Sequence, residues 1–251
     1  MTPASPPTNR QPIDEDDEVA ALRKLLSSGP RTNRQRPAAL QEEPESSSMG
    51  RAATSAQRLL QLLQDRSGLD EAEPMLQTEL SQREQRYGKD HPDTLLSRTC
   101  YAMLLQAKGD LKEAQPHYEL AMEGFEKKYG PAHRDTLIAV NNLAVLLKAR
   151  GDLTAAKPLY ERVLKGDEDQ LGPNHPHTLD SIYNLARLHQ ANGDLQLAIP
   201  LFKRELKGCE EAYGNEHQET RTSASNLVQT LMDTGAEAEA KALAEAYNLQ
   251  M

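Results

Sequence analysis

The chain has 251 residues, a net charge of −9 and a sequence pI near 5.3, with 4% aromatic residues and no Trp. An average charge of that sign repels phosphate, which argues against nucleic acid or anionic membrane surfaces as general partners, and so few rings argue against a large spherical core. No segment reaches the roughly 20 apolar residues of a membrane span, Met1 to Pro12 lacks the apolar run of a secretory leader, and Cys100 and Cys209 stand apart without metal-ligand spacing, so a soluble, cytoplasmic chain with free thiols is expected.

Residues 1–50 are rich in Pro, Ser, Gln, Arg and Glu, as in TPASPP, SSGPRTNRQRP and EEPESSS, and carry too little apolar area to offset the entropy of ordering. A disordered arm is predicted. Within it, Asp17 is placed to cap a short helix whose Val19, Leu22 and Leu26 share one face, with Gly29 just beyond. The acidic run Asp14 to Glu18 overlaps the start of that helix, and the acidic and apolar composition of residues 14–26 predicts an intramolecular, self-inhibiting contact with the rest of the chain.

From residue 51 to the C-terminus the sequence repeats every 42 residues. His91-Pro92-Asp93-Thr94-Leu95 returns as His133-Arg134-Asp135-Thr136-Leu137, as His175-Pro176-His177-Thr178-Leu179 and, more loosely, as His217-Gln218-Glu219-Thr220. Gly109-Asp110-Leu111 returns at Gly151 and Gly193, and Ala72, Ala114, Ala156, Ala198 and Ala240 keep one register over five units without an insertion.

Each unit reads as two helices. Val140, Leu143, Ala144 and Leu147 have the i, i+3, i+4, i+7 spacing of one apolar face and define helix A. Gly151 is predicted to stop it in the left-handed backbone, and Asp152 to cap helix B; Asp110 with Glu113 has the spacing of a capping box. Helix B buries Ala114, Tyr118, Ala121, Met122 and Phe125. Small Ala on both helices lets the two backbones approach closely, and stacking of successive pairs gives a superhelix whose concave side is lined by helix A. Pro74, Pro116, Pro158 and Pro200 fall beyond the first turn of helix B, which predicts either a local bend or a later helix start. The first unit, with Ser67-Gly68-Leu69 for the Gly-Asp-Leu turn, and the last, with an Ala/Glu-rich helix from Ala236 to Ala246, have the composition of end caps.

Asn141-Asn142-Leu143-Ala144-Val145-Leu146-Leu147, the Gly-Asp-Leu turn, Ala156-Lys157-Pro158-Leu159-Tyr160-Glu161-Arg162 and the loop Leu171 to Pro176 resemble the tetratricopeptide repeat, in the 42-residue version of kinesin light chains and nephrocystin-3-like proteins. The resemblance implies an all-α, right-handed superhelical solenoid of about five helix pairs. It also implies a non-catalytic adaptor or scaffold that binds protein segments. Residues 1–50 lack the sustained heptads of the kinesin light chain coiled coil, and no GxxxxGK phosphate loop is present.

In that family partner peptides lie in the concave groove, held by Asn side chains of helix A. The matching register holds Cys100, Asn142, Asn184 and Asn226. A carboxamide both donates and accepts, which suits the backbone of an extended peptide. The neighbouring groove positions are Asn141, Val145 and Lys148 in one unit and Tyr183, Arg187 and Gln190 in the next. Lys148 and Arg187 favour an acidic linear motif, and Val145 and Tyr183 offer it an apolar seat. The alternative is a structural subunit that uses its convex face or its ends to join a larger assembly. The two classes separate on charge reversal at Lys148 and Arg187, which abolishes capture only in the first.

No metal or cofactor is expected. His91, His133, His175 and His217 fall in successive inter-repeat loops stepped along the superhelix and do not converge, so loop packing is their expected role. No nucleophile elbow or glycine-rich oxyanion turn accompanies the Ser, His and Asp residues, which argues against an enzyme.

Overall fold

A computed structural model describes residues 69–250. Helix A of the first unit, the acidic segment 14–26 and the predicted arm lie outside the described residues. Within the described residues the chain is helical throughout: α1 (Leu69–Tyr87), α2 (Pro92–Lys108), α3 (Leu111–Tyr129), α4 (Arg134–Ala149), α5 (Leu153–Leu171), α6 (Pro176–Ala191), α7 (Leu195–Tyr213), α8 (Gln218–Asp233) and α9 (Glu237–Ala246). Helices α2, α4, α6 and α8 are the A helices of units two to five; α1, α3, α5, α7 and α9 are the B helices. The architecture is the all-α solenoid of stacked helix pairs that the repeat predicts.

The repeated motif starts each A helix by a division of labour. The His side chain takes the N-cap position and its Nδ1 accepts the backbone N–H two residues on, at 3.3 Å from Asp93, 3.2 Å from Asp135, 3.2 Å from His177 and 3.2 Å from Glu219. This satisfies one of the donors that a helix start leaves open. The Thr that follows donates its hydroxyl back to the glycine carbonyl that ends the preceding B helix, Thr136 to Gly130 at 2.9 Å, Thr178 to Gly172 and Thr220 to Gly214 at 2.7 Å. Those glycines hold φ between 82° and 90°, where a Cβ is strained. His91, His133 and His217 also stack on Tyr87, Tyr129 and Tyr213, with ring centroids 4.9, 4.4 and 5.0 Å apart.

The A-to-B turn departs from the sequence expectation at one point. Gly151 does take φ 83° and Asp152 accepts from the Ala155 N–H at 3.1 Å, but Asp110 makes no capping bond, so its spacing to Glu113 is not a capping box. The later start offered for helix B does not occur either: α3 begins at Leu111 and continues through Pro116, as the other B helices do through Pro74, Pro158 and Pro200. The carbonyl that each proline leaves without its helical partner lies near the start of a B helix, at the exposed residue Lys112 in α3.

Close packing within a pair rests on small residues. Ala102, Ala144 and Ala186 on the A helices and Ala114, Ala156 and Ala198 on the B helices are all 0% exposed, with Tyr118, Tyr160 and Phe202 filling the space beside them. Gly124, Gly166 and Gly208 add a second small register that sequence reading passed over. A Cβ at these positions would lie 2.5, 2.5 and 2.3 Å from the methyls of Leu95, Leu137 and Leu179, the leucines of the repeated motif. Each leucine therefore seats directly on the backbone of its B helix.

Successive units join through two layers. B helices are tied to one another by Arg162 to Glu126 at 3.0 Å and Arg204 to Glu168 at 2.6 Å, with Lys203 to Glu239 at 2.7 Å. Between layers, a serine of the A helix bonds an acid of the preceding B helix at three joints: Ser97 to Glu79 at 3.1 Å, Ser181 to Asp167 at 2.5 Å and Ser223 to Glu205 at 2.5 Å. Ala139 occupies the serine register at the fourth. A helices are tied to A helices by Asn184 to Asn141 and Gln190 to Thr230.

Candidate binding groove

The groove positions follow from helix geometry. In α4, Asn141, Asn142, Val145 and Lys148 lie within two turns on one side of the helix, and in α6 Tyr183, Asn184, Arg187 and Gln190 repeat those registers. The opposite sides hold Val140, Leu143, Ala144 and Leu147, or Ile182, Leu185 and Ala186, in the core.

The sequence-predicted residues do not sit at equal depth. Asn142 is 2% exposed and its buried Nδ2 has no hydrogen-bond partner among the described residues. Asn184 is half-buried, and its Nδ2 donates to the Asn141 Oδ1 at 3.2 Å. Asn226 on α8 is half-buried, and its buried Nδ2 likewise has no partner among the described residues. Cys100 holds the register on α2 and is buried. Val145 is half-buried against the core, and Tyr183 meets Phe202 edge-on with ring centroids 6.2 Å apart.

Lys148 and Arg187 differ in their surroundings. Lys148 is half-buried, and desolvation followed by the Arg187 charge pushes its ammonium down to about 8. Among the described residues no carboxylate forms an ion pair with Lys148. Arg187 is exposed and its guanidinium donates to the Gln190 Oε1 at 2.5 Å. Lys108, at the same end of α2, is treated in the opposite way: Asp70 and Glu73 bond it at 2.7 and 2.5 Å and hold its ammonium above the ordinary lysine range. Two units along one superhelix thus carry a neutralised lysine and an unneutralised one. Lysine alone does not distinguish them in the sequence; the acids at Asp70 and Glu73 belong to a different unit and meet Lys108 only after stacking.

His91, His133, His175 and His217 cap four separate helices, and among the described residues no group of His, Cys, Asp and Glu is arranged to hold a metal ion. Cys100 and Cys209 are free and buried. No helix among the described residues is long and apolar enough to cross a membrane.

Among the described residues, helix pairs stack in two layers, with the amides, Lys148 and Arg187 carried on the A helices. A family model described as the tetratricopeptide repeat matches residues 93–169, 135–207 and 177–247, together more than half of the chain. The chain belongs to the tetratricopeptide repeat family and is of the kinesin light chain-like kind. It superposes on the nearly identical TPR-like repeats of a Podospora anserina kinesin light chain with a TM-score of 0.70 at 26% identity, covering 77% of this chain and 92% of that one. BtubC (BKLC) from P. vanneervenii gives a TM-score of 0.68 at 18% identity over 94% of this chain and 90% of that one, a likeness of fold. Comparison with curated proteins gives no match. Arrays of this family are typically non-catalytic interaction scaffolds, and a protein-interaction adaptor or scaffold is the class to which this chain is assigned.

Proposed function

We propose that the inner groove captures short acidic segments of partner proteins, in the manner of a cargo adaptor. One observation carries the reading: Lys148 is half-buried beside Arg187 with no carboxylate to neutralise it among the described residues. A half-desolvated ammonium next to a like charge is costly to keep and is relieved by an incoming anion, whose charge-assisted bonds form in a site already partly dry. Val145 and Tyr183 flank the pair and offer an apolar residue of the same segment a place to rest, while Asn141, Asn184 and Asn226 hold its backbone. The similarity to kinesin light chain repeats supports the adaptor reading.

The alternative, an assembly subunit working through its convex side, draws less support. Three ion pairs already join charges across the B helices, Glu126 with Arg162, Glu168 with Arg204 and Glu239 with Lys203. Charges paired in this way gain little from a charged partner.

The deciding experiment is fluorescence anisotropy of a labelled peptide with acidic residues around one aromatic or leucine anchor. The Lys148→Glu/Arg187→Glu variant should bind it at least about tenfold more weakly than wild type, from the loss of two charge-assisted contacts. Equal binding by a variant with native circular dichroism would move the interaction site off the groove.

A further inference from the structure

The chemistry of Lys148 reaches beyond charge. Lys108 is paired with Asp70 and Glu73, and the surface lysines Lys127, Lys157, Lys203 and Lys207 each face a carboxylate at 3.9 Å or less. Lys148 has no such partner among the described residues. It lies in the last turn of α4, half-buried beside the half-buried Val145, with Arg187 of α6 as the charge that bears on it. Every feature of that setting favours the amine over the ammonium: partial removal of water, a like charge nearby and no anion to hold the proton. An unprotonated lysine amine is a nucleophile.

We propose that Lys148 is a modification site: it is the lysine of this chain that reacts first with an activated acyl donor such as an acyl thioester, and its acylation closes the groove to acidic ligands. The step balances without a further reagent. The Nζ lone pair attacks the thioester carbonyl, the C–N bond of an amide forms, the C–S bond breaks, the thiolate leaves, and the proton lost from nitrogen passes to the thiolate or to water. The product has no charge at Lys148 and a longer, uncharged side chain beside Arg187, so one of the two cations of the groove is gone.

Burial and reactivity oppose each other here, and the magnitudes decide between them. Against an ordinary lysine at 10.5, an amine near 8 is unprotonated several hundred times more often at neutral pH. Lower basicity removes roughly a factor of ten of that gain if nitrogen follows a Brønsted slope like that of thiols, and restricted access removes a further part. A selectivity of at least about fivefold over fully exposed lysines remains.

The second half of the proposal rests on the groove reading above; the first does not. The test exposes the full chain at pH 7.5 to a small acetyl thioester, with the rate at each lysine followed by peptide mass spectrometry. Lys148 should acetylate at least about fivefold faster than Lys112 and Lys165, which are exposed and carry no ion pair among the described residues. In Arg187→Ala the rate at Lys148 should fall about threefold or more, because losing the like charge returns the proton to nitrogen; a site governed by access alone would speed up instead. Lys148 reacting no faster than Lys112 and Lys165, or faster in Arg187→Ala, overturns the assignment. The acetylated chain and Lys148→Gln should both lose at least about fivefold in affinity for the acidic peptide, with Lys148→Arg retaining it. Selective acetylation of a chain that binds the peptide equally well before and after overturns the control of the groove; selective acetylation of a chain that never binds the peptide overturns the proposed function and leaves the reactive lysine standing.

Discussion

The Asn184 carboxamide donates to Oδ1 of Asn141 at 3.2 Å, so two amides one unit apart tie α6 to α4 at the edge of the groove. That bond uses one donor and one acceptor, and each amide keeps capacity for the backbone of a ligand. Asn142, 2% exposed, is too deep to share that role equally. Asn184→Ala should therefore weaken an acidic peptide by about fivefold, the worth of roughly one hydrogen bond, while Asn142→Ala changes affinity by less than about twofold. Anisotropy titrations of the two single variants against wild type check the ranking, and a larger loss at Asn142 would reverse it.

The leucine of the repeated motif and the glycine beneath it should be energetically coupled. In Gly166→Ala the new methyl meets Leu137 at 2.5 Å, which costs about 1–3 kcal/mol of overpacking against a helix-propensity gain of about 1 kcal/mol. A net loss near 1 kcal/mol in urea unfolding is expected. Leu137→Ala alone should cost about 2–5 kcal/mol, and the double variant less than the sum because the alanine methyl fills part of the hole. Additivity of the two changes would deny the contact.

Stability should fall on mild acidification. Desolvation, with the Arg98 charge second, holds His117 below its ordinary imidazole value; desolvation also lowers His175, where Asp167 opposes it and Arg134 assists. A histidine with a lowered folded value binds fewer protons when folded, so its contribution is complete above 6.5 and is lost as pH falls through the folded value. Urea midpoints of wild type should drop between about pH 7 and pH 5, and those of His117→Asn/His175→Asn should drop less over the same interval. Identical slopes would exclude these two rings as the cause.

The same charge logic makes the acidic segment 14–26 a candidate competitor for the proposed groove. If residues 14–26 compete for Lys148 and Arg187, removing residues 1–50 should tighten acidic-peptide binding by about threefold or more, since an intramolecular competitor acts at high effective concentration. Unchanged affinity in the truncated chain removes the arm from the mechanism.

The 42-residue register carried most of the fold in plain view. Recurring Ala and aromatic residues at fixed offsets marked the A–B contact, and Ala102, Ala144 and Ala186 are indeed fully buried. Gly124, Gly166 and Gly208 recur with the same period, yet a helix-interior glycine reads as a weakness until a leucine is found seated on it. The 42-residue spacing of the histidines puts them in separate loops and points to loop packing; their N-cap bonds through Nδ1 depend on the local backbone and are not encoded in that spacing. Asp110 makes no side-chain capping bond although Asp152, one unit on, does, a difference that the shared spacing does not encode. At the groove, sequence placed Lys148 and Arg187 at corresponding faces. The withdrawal of water from Lys148, and the absence among the described residues of a carboxylate like those that hold Lys108, arise from stacking and had no local signature.

Each helix packs chiefly on the helices next to it in the chain, and the widest of the described hydrogen bonds, Asn184 to Asn141 and Arg134 to His177, reach across 43 residues. Nothing in such a pattern has to wait for the far end of the polypeptide. During synthesis each pair has its packing partner as soon as one further unit clears the ribosome, so assembly proceeds from the N-terminal side with short loop closures and little exposure of unfinished core.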